Sequence, residues 1–151
     1  ISHSVPFKPN LNALSERTGI SLNTLKHYLK LLAEANLLNL LYVEEKGINS
    51  LNKPEKIFLH HPNLMYNLAS DNINIGNIRE TFFFNQVSQK YLVHASKHAD
   101  FIVDNNYHFE IGGKNKKQKQ IKDLNTAYIV KDDIEIGSDN IIPLWLFGFL
   151  Y

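Results

Sequence analysis

Apolar residues recur at helical spacing early in the chain and at strand spacing later, and this change of period outlines its elements. Leu11 and Leu14 mark a short helix over 11–18 that stops at Gly19. Ser21 caps the next, where Leu22, Leu25, Tyr28, Leu29, Leu31, Leu32 and Ala35 form the apolar set. Strands are expected over 37–43 and 56–59, joined by a polar stretch that holds Gly47 and Pro54. A short helix follows over 63–69, with Leu64, Met65 and Leu68. A longer one runs over 75–90, burying Ile78, Phe82, Phe83, Val87 and Tyr91. Tyr91 to Val93 opens a strand. Phe101, Ile102 and Val103, then Tyr107, Phe109 and Ile111, flank Asp104-Asn105-Asn106 and predict a β-hairpin. Beyond it lie a lysine-rich run over 114–122 leading into a helix toward Leu124 and Thr126, a strand over 127–130 and a candidate edge over 134–136. The apolar segment 141–151, with Pro143 and Trp145, reads as a buried terminal element.

Two short helices around a glycine-containing turn make a helix-turn-helix. The wording from Leu14 to Leu25 resembles that of winged-helix domains, with the two strands and their polar connection as the wing. In a DNA-binding version the second helix enters the major groove, where Asn23, Thr24, Lys26, His27 and Lys30 meet bases and phosphates. The same face also suits a protein partner or plain solvent. His60-His61-Pro62 marks a boundary, giving candidate units 1–60 and 61–151. The adjacent histidines look like metal ligands but point apart in an extended segment, so a structural or solvent role is expected.

The second unit reads as a small α/β domain, which makes the whole chain α+β. Antiparallel pairing about the hairpin turn brings Asp100 and Glu110 together, and alternation places Glu110, Gly112 and Lys114 on one face. Two carboxylates and a lysine on one sheet face suit magnesium-dependent phosphodiester cleavage, with Asp100 and Glu110 as metal ligands and Lys114 as electrostatic helper. Glu80 is a candidate third carboxylate, and neighbouring Arg79 a partner for an acid. Lys116, Lys117 and Lys119 can hold a phosphate backbone. The alternative is a solvated hairpin followed by a solvated lysine face.

Composition and charge narrow this picture. The 151 residues, 44% hydrophobic and 21% charged, suffice for one domain or two small ones with real cores. A net charge of +1 makes any nucleic-acid contact a local matter. The sequence has no cysteine, so disulfides and thiolate metal sites are excluded. No segment reaches the roughly 18 apolar residues of a membrane span, and there is no signal peptide, so a cytoplasmic location is expected. The chain opens on Ile1 and reads as a fragment.

Helix with Glu80, strand with Asp100, strand with Glu110, then helix and strand: this order resembles the PD-(D/E)XK restriction-endonuclease-like core. That pattern asks for an aspartate, then Asp/Glu-x-Lys on the next strand. Asp100 and Glu110 match, but Gly112 stands at the lysine position. Lys114 is displaced by two, with Gly112-Gly113 leaving room for it to fold back. More specifically, the chain resembles the C-terminal region of a family of bacterial AAA+ type ATPases, in which a winged helix precedes a nuclease-like domain of unknown function. The likeness covers nearly the whole chain. It lies in Lys53-Pro54-Glu55-Lys56-Ile57-Phe58-Leu59, Gly76-Asn77-Ile78-Arg79-Glu80-Thr81-Phe82-Phe83, Asp100-Phe101-Ile102-Val103 and Phe109-Glu110-Ile111-Gly112-Gly113-Lys114.

The resemblance implies an N-terminal winged helix-turn-helix, a small restriction-endonuclease-like domain with a mixed sheet, and an ATPase module outside this fragment. No Gly-x-x-x-x-Gly-Lys-Ser/Thr run occurs, so ATP is not expected to bind here. Three functions follow as expectations. The first is a nucleic-acid- or protein-binding module without cleavage, favoured by the displaced lysine. The second is a Mg2+-dependent nuclease using Glu80, Asp100, Glu110 and Lys114. The third is a regulatory domain docking on its own ATPase module.

Overall fold

The computed structural model describes residues 6–44, 53–68, 73–117, 121 and 124–150. The chain begins with helices α1 (Leu11–Thr18) and α2 (Leu22–Glu34). Asn10 caps α1 by accepting from the Ala13 N–H at 3.2 Å, and Gly19 closes it at φ 67°, the left-handed conformation that glycine adopts at least cost. Ser21 caps α2 by accepting from the Thr24 N–H at 3.2 Å. The buried stripe of α2 is narrower than its apolar set. Leu25 and Leu29 are buried and Leu22 and Leu32 pack beside them, but Tyr28 and Leu31 are 47% and 45% exposed. At about 100° per residue they fall off the Leu22–Leu32 stripe.

Strands β1 (Leu38–Leu41) and β2 (Lys56–Leu59) pair antiparallel, Leu38 opposite Leu59. The strand predicted over 37–43 is cut short for a physical reason. At Val43 the chain leaves β2 and bridges Ala95 in parallel, the Ala95 N–H donating to the Tyr42 carbonyl at 2.7 Å. The two sheets thereby meet at their edges. The faces of β1 and β2 serve different cores. Ile57 and Leu59 pack with Leu11, Leu25, Leu29 and Leu38. Leu41 and Phe58 pack with Phe83, Phe84, Phe101 and Val103.

Helices α3 (Pro62–Leu68) and α4 (Ile75–Val87) follow, the latter capped by Asn74, which accepts from the Gly76 N–H at 2.8 Å. Phe83, Phe84 and Val87 are buried, but α4 ends at Val87 and leaves Tyr91 44% exposed, against expectation.

Strands β3 (Val93–Ala95), β4 (Phe101–Val103), β5 (Tyr107–Gly112), β6 (Ala127–Lys131) and β7 (Ile141–Pro143) form one sheet in that order. The first three pair antiparallel, and β5–β6 and β6–β7 pair parallel. The protein is therefore α+β with a five-stranded mixed sheet. Asp104 and Asn105 turn the hairpin at φ 48° and 56°, as their residue types predict.

Two later expectations change. The described residues between β5 and β6 form turns with no helix, although Ile121 and Leu124 do pack inward beside Ala127 and Ile129. Residues 134–136 are no strand: the chain bends there after Asp133 at φ 60°, and Ile136 is 84% exposed. A 3₁₀-helix, Leu144–Phe149, ends the described chain. Its threefold repeat buries Leu144 and Phe147 while Trp145 and Phe149 stay 50% and 60% exposed, so the terminal element is only half buried. No described helix is long and apolar enough to cross a membrane.

Candidate carboxylate and lysine site

The β4–β5 register, Phe101 opposite Phe109, carries Asp100 to the level of Glu110. The Asp100 N–H donates to the Phe109 carbonyl at 3.1 Å, and Asp100 Oδ2 accepts from the Ile111 N–H at 2.8 Å. The Asp100 carboxylate is thus pinned to the backbone of β5. Glu110 is 3% exposed and receives Lys116 Nζ on Oε1 at 2.6 Å. The Lys116 chain reaches it by lying across Gly112. A Cβ on Gly112 would stand 2.6–2.7 Å from Lys116 Cβ, Cγ and Cδ. The turn that reverses the chain is closed by the Lys116 N–H donating to the Gly113 carbonyl at 2.9 Å.

Lys116, and not Lys114, is therefore the lysine brought to the carboxylates. Alternation along β5 ends with the strand at Gly112, so Lys114 sits exposed in the turn. The same geometry takes Lys116 away from the role of a surface phosphate contact, because its ammonium turns inward. Lys117 is exposed, and Lys119 lies outside the described residues.

Glu80 joins from α4. Its Oε2 lies 3.1 Å from Nζ of Lys56 on β2, so the first sheet contributes a side chain to the site. Burial raises the proton affinity of Glu80, the Asp100 charge raises it further, and Lys56 and Lys116 oppose both. Burial likewise raises Glu110, against the Lys116 hydrogen bond. Burial works to lower Lys116, but its hydrogen bond to Glu110 and the charges of Glu110, Asp100 and Glu80 raise it on balance, so the ammonium is retained. Three carboxylates and two lysines share one electrostatic neighbourhood. Arg79 lies behind it, its Nε 2.9 Å from Asp132 and its guanidinium against Gly113.

In front of Asp100 and Glu110 an open hollow of about 310 Å³ is also lined by Lys97, His98 and Ala99. Carboxylate oxygens of this kind suit a hard divalent cation. Among the described residues no three His, Cys, Asp or Glu side chains converge as a ready ligand set; Glu80 and Glu110 are each held on a lysine.

The α2 candidates are separate from this cluster. Asn23, Thr24, His27 and Lys30 are exposed, and Lys26 is half-buried. Lys30 lies 3.6 Å from Glu34, an exposed pair of small energetic weight. Lys26, His27 and Lys30 border a hollow of about 250 Å³ with Tyr42 and Pro54. His60 and His61 serve the chain itself: His60 Nδ1 lies 2.9 Å from Asn39 Oδ1, and His61 Nδ1 accepts from the Asn63 N–H at 3.1 Å.

Sequence reasoning overlooked Lys56 as a site residue and chose the wrong lysine of the turn. The Gly112-Gly113 pair was the available signal, since it announces a close approach to the backbone without naming what approaches. No family model matches the chain, and no curated protein or solved structure matches it either.

Proposed function

We propose that residues 61–151 form a restriction-endonuclease-like domain that cleaves nucleic-acid phosphodiesters with a divalent metal, and that residues 1–60 form a winged helix-turn-helix presenting the substrate. One observation carries this reading: Lys116 crosses Gly112 to reach Glu110, filling the position where the PD-(D/E)XK pattern has its lysine. Gly112 speaks against cleavage, and the Lys116 ammonium beside Glu110 supports it. The strand order and the mix of antiparallel and parallel pairing suit the same core. On the resemblance to the tail of bacterial AAA+ type ATPases, this region would act beside an ATPase module of the same protein.

Asp100 and Glu110 would hold the cation, which supplies Lewis-acid polarisation of the phosphate and a more acidic bound water. Asp100 is pre-set by the Ile111 N–H. Lys116 keeps its proton, so it acts as a fixed positive charge beside the phosphate and not as a base. Glu80, tethered by Lys56, would add negative charge to the same site. The test is cleavage of plasmid and oligonucleotide DNA across a Mn2+ and Mg2+ titration, with EDTA as control. Metal-dependent nicking is expected, and no cleavage with either metal sinks the reading.

A cluster closed on its own lysines also suits a module that binds without cutting, and the titration separates the two. For α2, Lys26→Ala with Lys30→Ala is expected to weaken duplex binding and to lower its salt slope by about one unit per lost phosphate contact. Unchanged binding would mean that α2 is not the reader.

A further inference from the structure

The hollow in front of Asp100 and Glu110 does not end at the carboxylates. It shares Lys97 and His98 with a second hollow of about 200 Å³ that continues past Ser96 to His108. His108 and Glu110 alternate onto the same face of β5, about 7 Å apart along the strand. That separation is on the scale of successive phosphates in a nucleic-acid strand. We infer that Lys97, His98 and His108 form a phosphate subsite, which holds the backbone phosphate next to the one at Asp100 and Glu110. This rests on the proposed function and adds the register of the bound strand.

The hydrogen bonds around Ser96 decide what His108 offers. Ser96 Oγ accepts from the N–H groups of His98 and Ala99, each at 3.1 Å. Its acceptor capacity is thereby used, and its own proton goes to His108 Nδ1 at 2.9 Å. His108 Nδ1 is then an acceptor and its Nε2 carries the hydrogen, so the ring presents a fixed N–H donor. His98 stands edge-on to it, ring centroids 6.3 Å apart. Exposed Lys97 supplies a full positive charge at the junction of the two hollows. The acid of the second hollow is Glu44, which is exposed. A donor array of this kind, continuing from a carboxylate pair suited to a metal, matches a chain of phosphates better than an isolated anion.

The test uses the full chain and a fluorescein-labelled single-stranded DNA oligonucleotide with Ca2+ in place of Mg2+ or Mn2+, so that the carboxylates carry a cation and binding is read without cleavage. His108→Ala and Lys97→Ala are each expected to weaken binding about tenfold, with His108→Gln recovering part of the loss because its amide restores a donor. Scanning a neutral methylphosphonate along the oligonucleotide should find one position that costs the unmutated protein the same factor and costs His108→Ala nothing further. A variant that binds as tightly as the unmutated chain, or losses that simply add at every position, would overturn the subsite. Cleavage by the unmutated protein under Mn2+ is measured in parallel. Intact cleavage with unaltered His108→Ala binding removes the subsite alone. Absence of both cleavage and binding removes the proposed function with it.

Discussion

In a metal-dependent cleavage assay, Lys116→Ala is expected to turn over about 10²–10³ times more slowly than the unmutated chain, with substrate affinity nearly unchanged. Lys116 places a retained charge on Glu110 at 2.6 Å, where on the proposed mechanism negative charge would accumulate on the reacting phosphate. Glu110→Ala removes one of the two proposed metal ligands and is expected to leave no measurable activity. The lysine variant also carries a pH signature. The Lys116 hydrogen bond lowers the proton affinity of Glu110, which burial has raised. Without Lys116, Glu110 takes a proton at higher pH, so the acid limb of the rate profile moves upward. The decisive double variant is Gly112→Lys on a Lys116→Gly background. Position 112 lies on β5 two residues beyond Glu110 and on its face, and the space above it is vacated only when Lys116 loses its Cβ as well, which is why glycine replaces it. Recovery of most of the rate is expected. Conversely, Gly112→Ala with Lys116 retained drives a Cβ into the lysine chain and should mimic its loss. Full activity in Lys116→Ala would remove the lysine from the mechanism.

The hairpin was legible because two signals agreed. Strand-forming residues alternate on either side of Asp104-Asn105-Asn106, and the turn fixes the register that sets Asp100 against Glu110. The lysine was misplaced by extending that alternation past Gly112, where the ladder stops and a turn reverses the chain. Local period therefore predicts side-chain direction only as far as the strand lasts. Glu80 could be named from its place on α4, but its tie to Lys56 could not. That contact spans 24 positions and depends on how β2 packs against α4. The exposed Tyr28, Leu31, Tyr91 and Trp145 teach a related lesson. Apolar type does not guarantee burial when the element ends early or its buried stripe is narrow.

Phe58→Ala is expected to destabilise the protein by about 3–5 kcal/mol and to do so for both cores in one transition. Phe58 is fully buried, with its ring centroid 5.1 Å from Phe84 and 6.0 Å from Phe101. Its neighbours Ile57 and Leu59 face the other core, so one strand carries the buried surface of both. A void beneath Phe58 loosens β2 from α4, and β2 also presents Lys56 to Glu80. Urea unfolding followed in parallel by far-ultraviolet circular dichroism and Trp145 fluorescence checks this. The two curves should coincide for the unmutated chain and shift together in the variant. Curves that separate, with helical signal surviving after Trp145 is released, would show that the first core stands without the second. A shared transition would instead tie the stability of residues 1–60 to the sheet that carries Asp100 and Glu110. Any pull on α1 and α2 would then be felt at the carboxylates through β2.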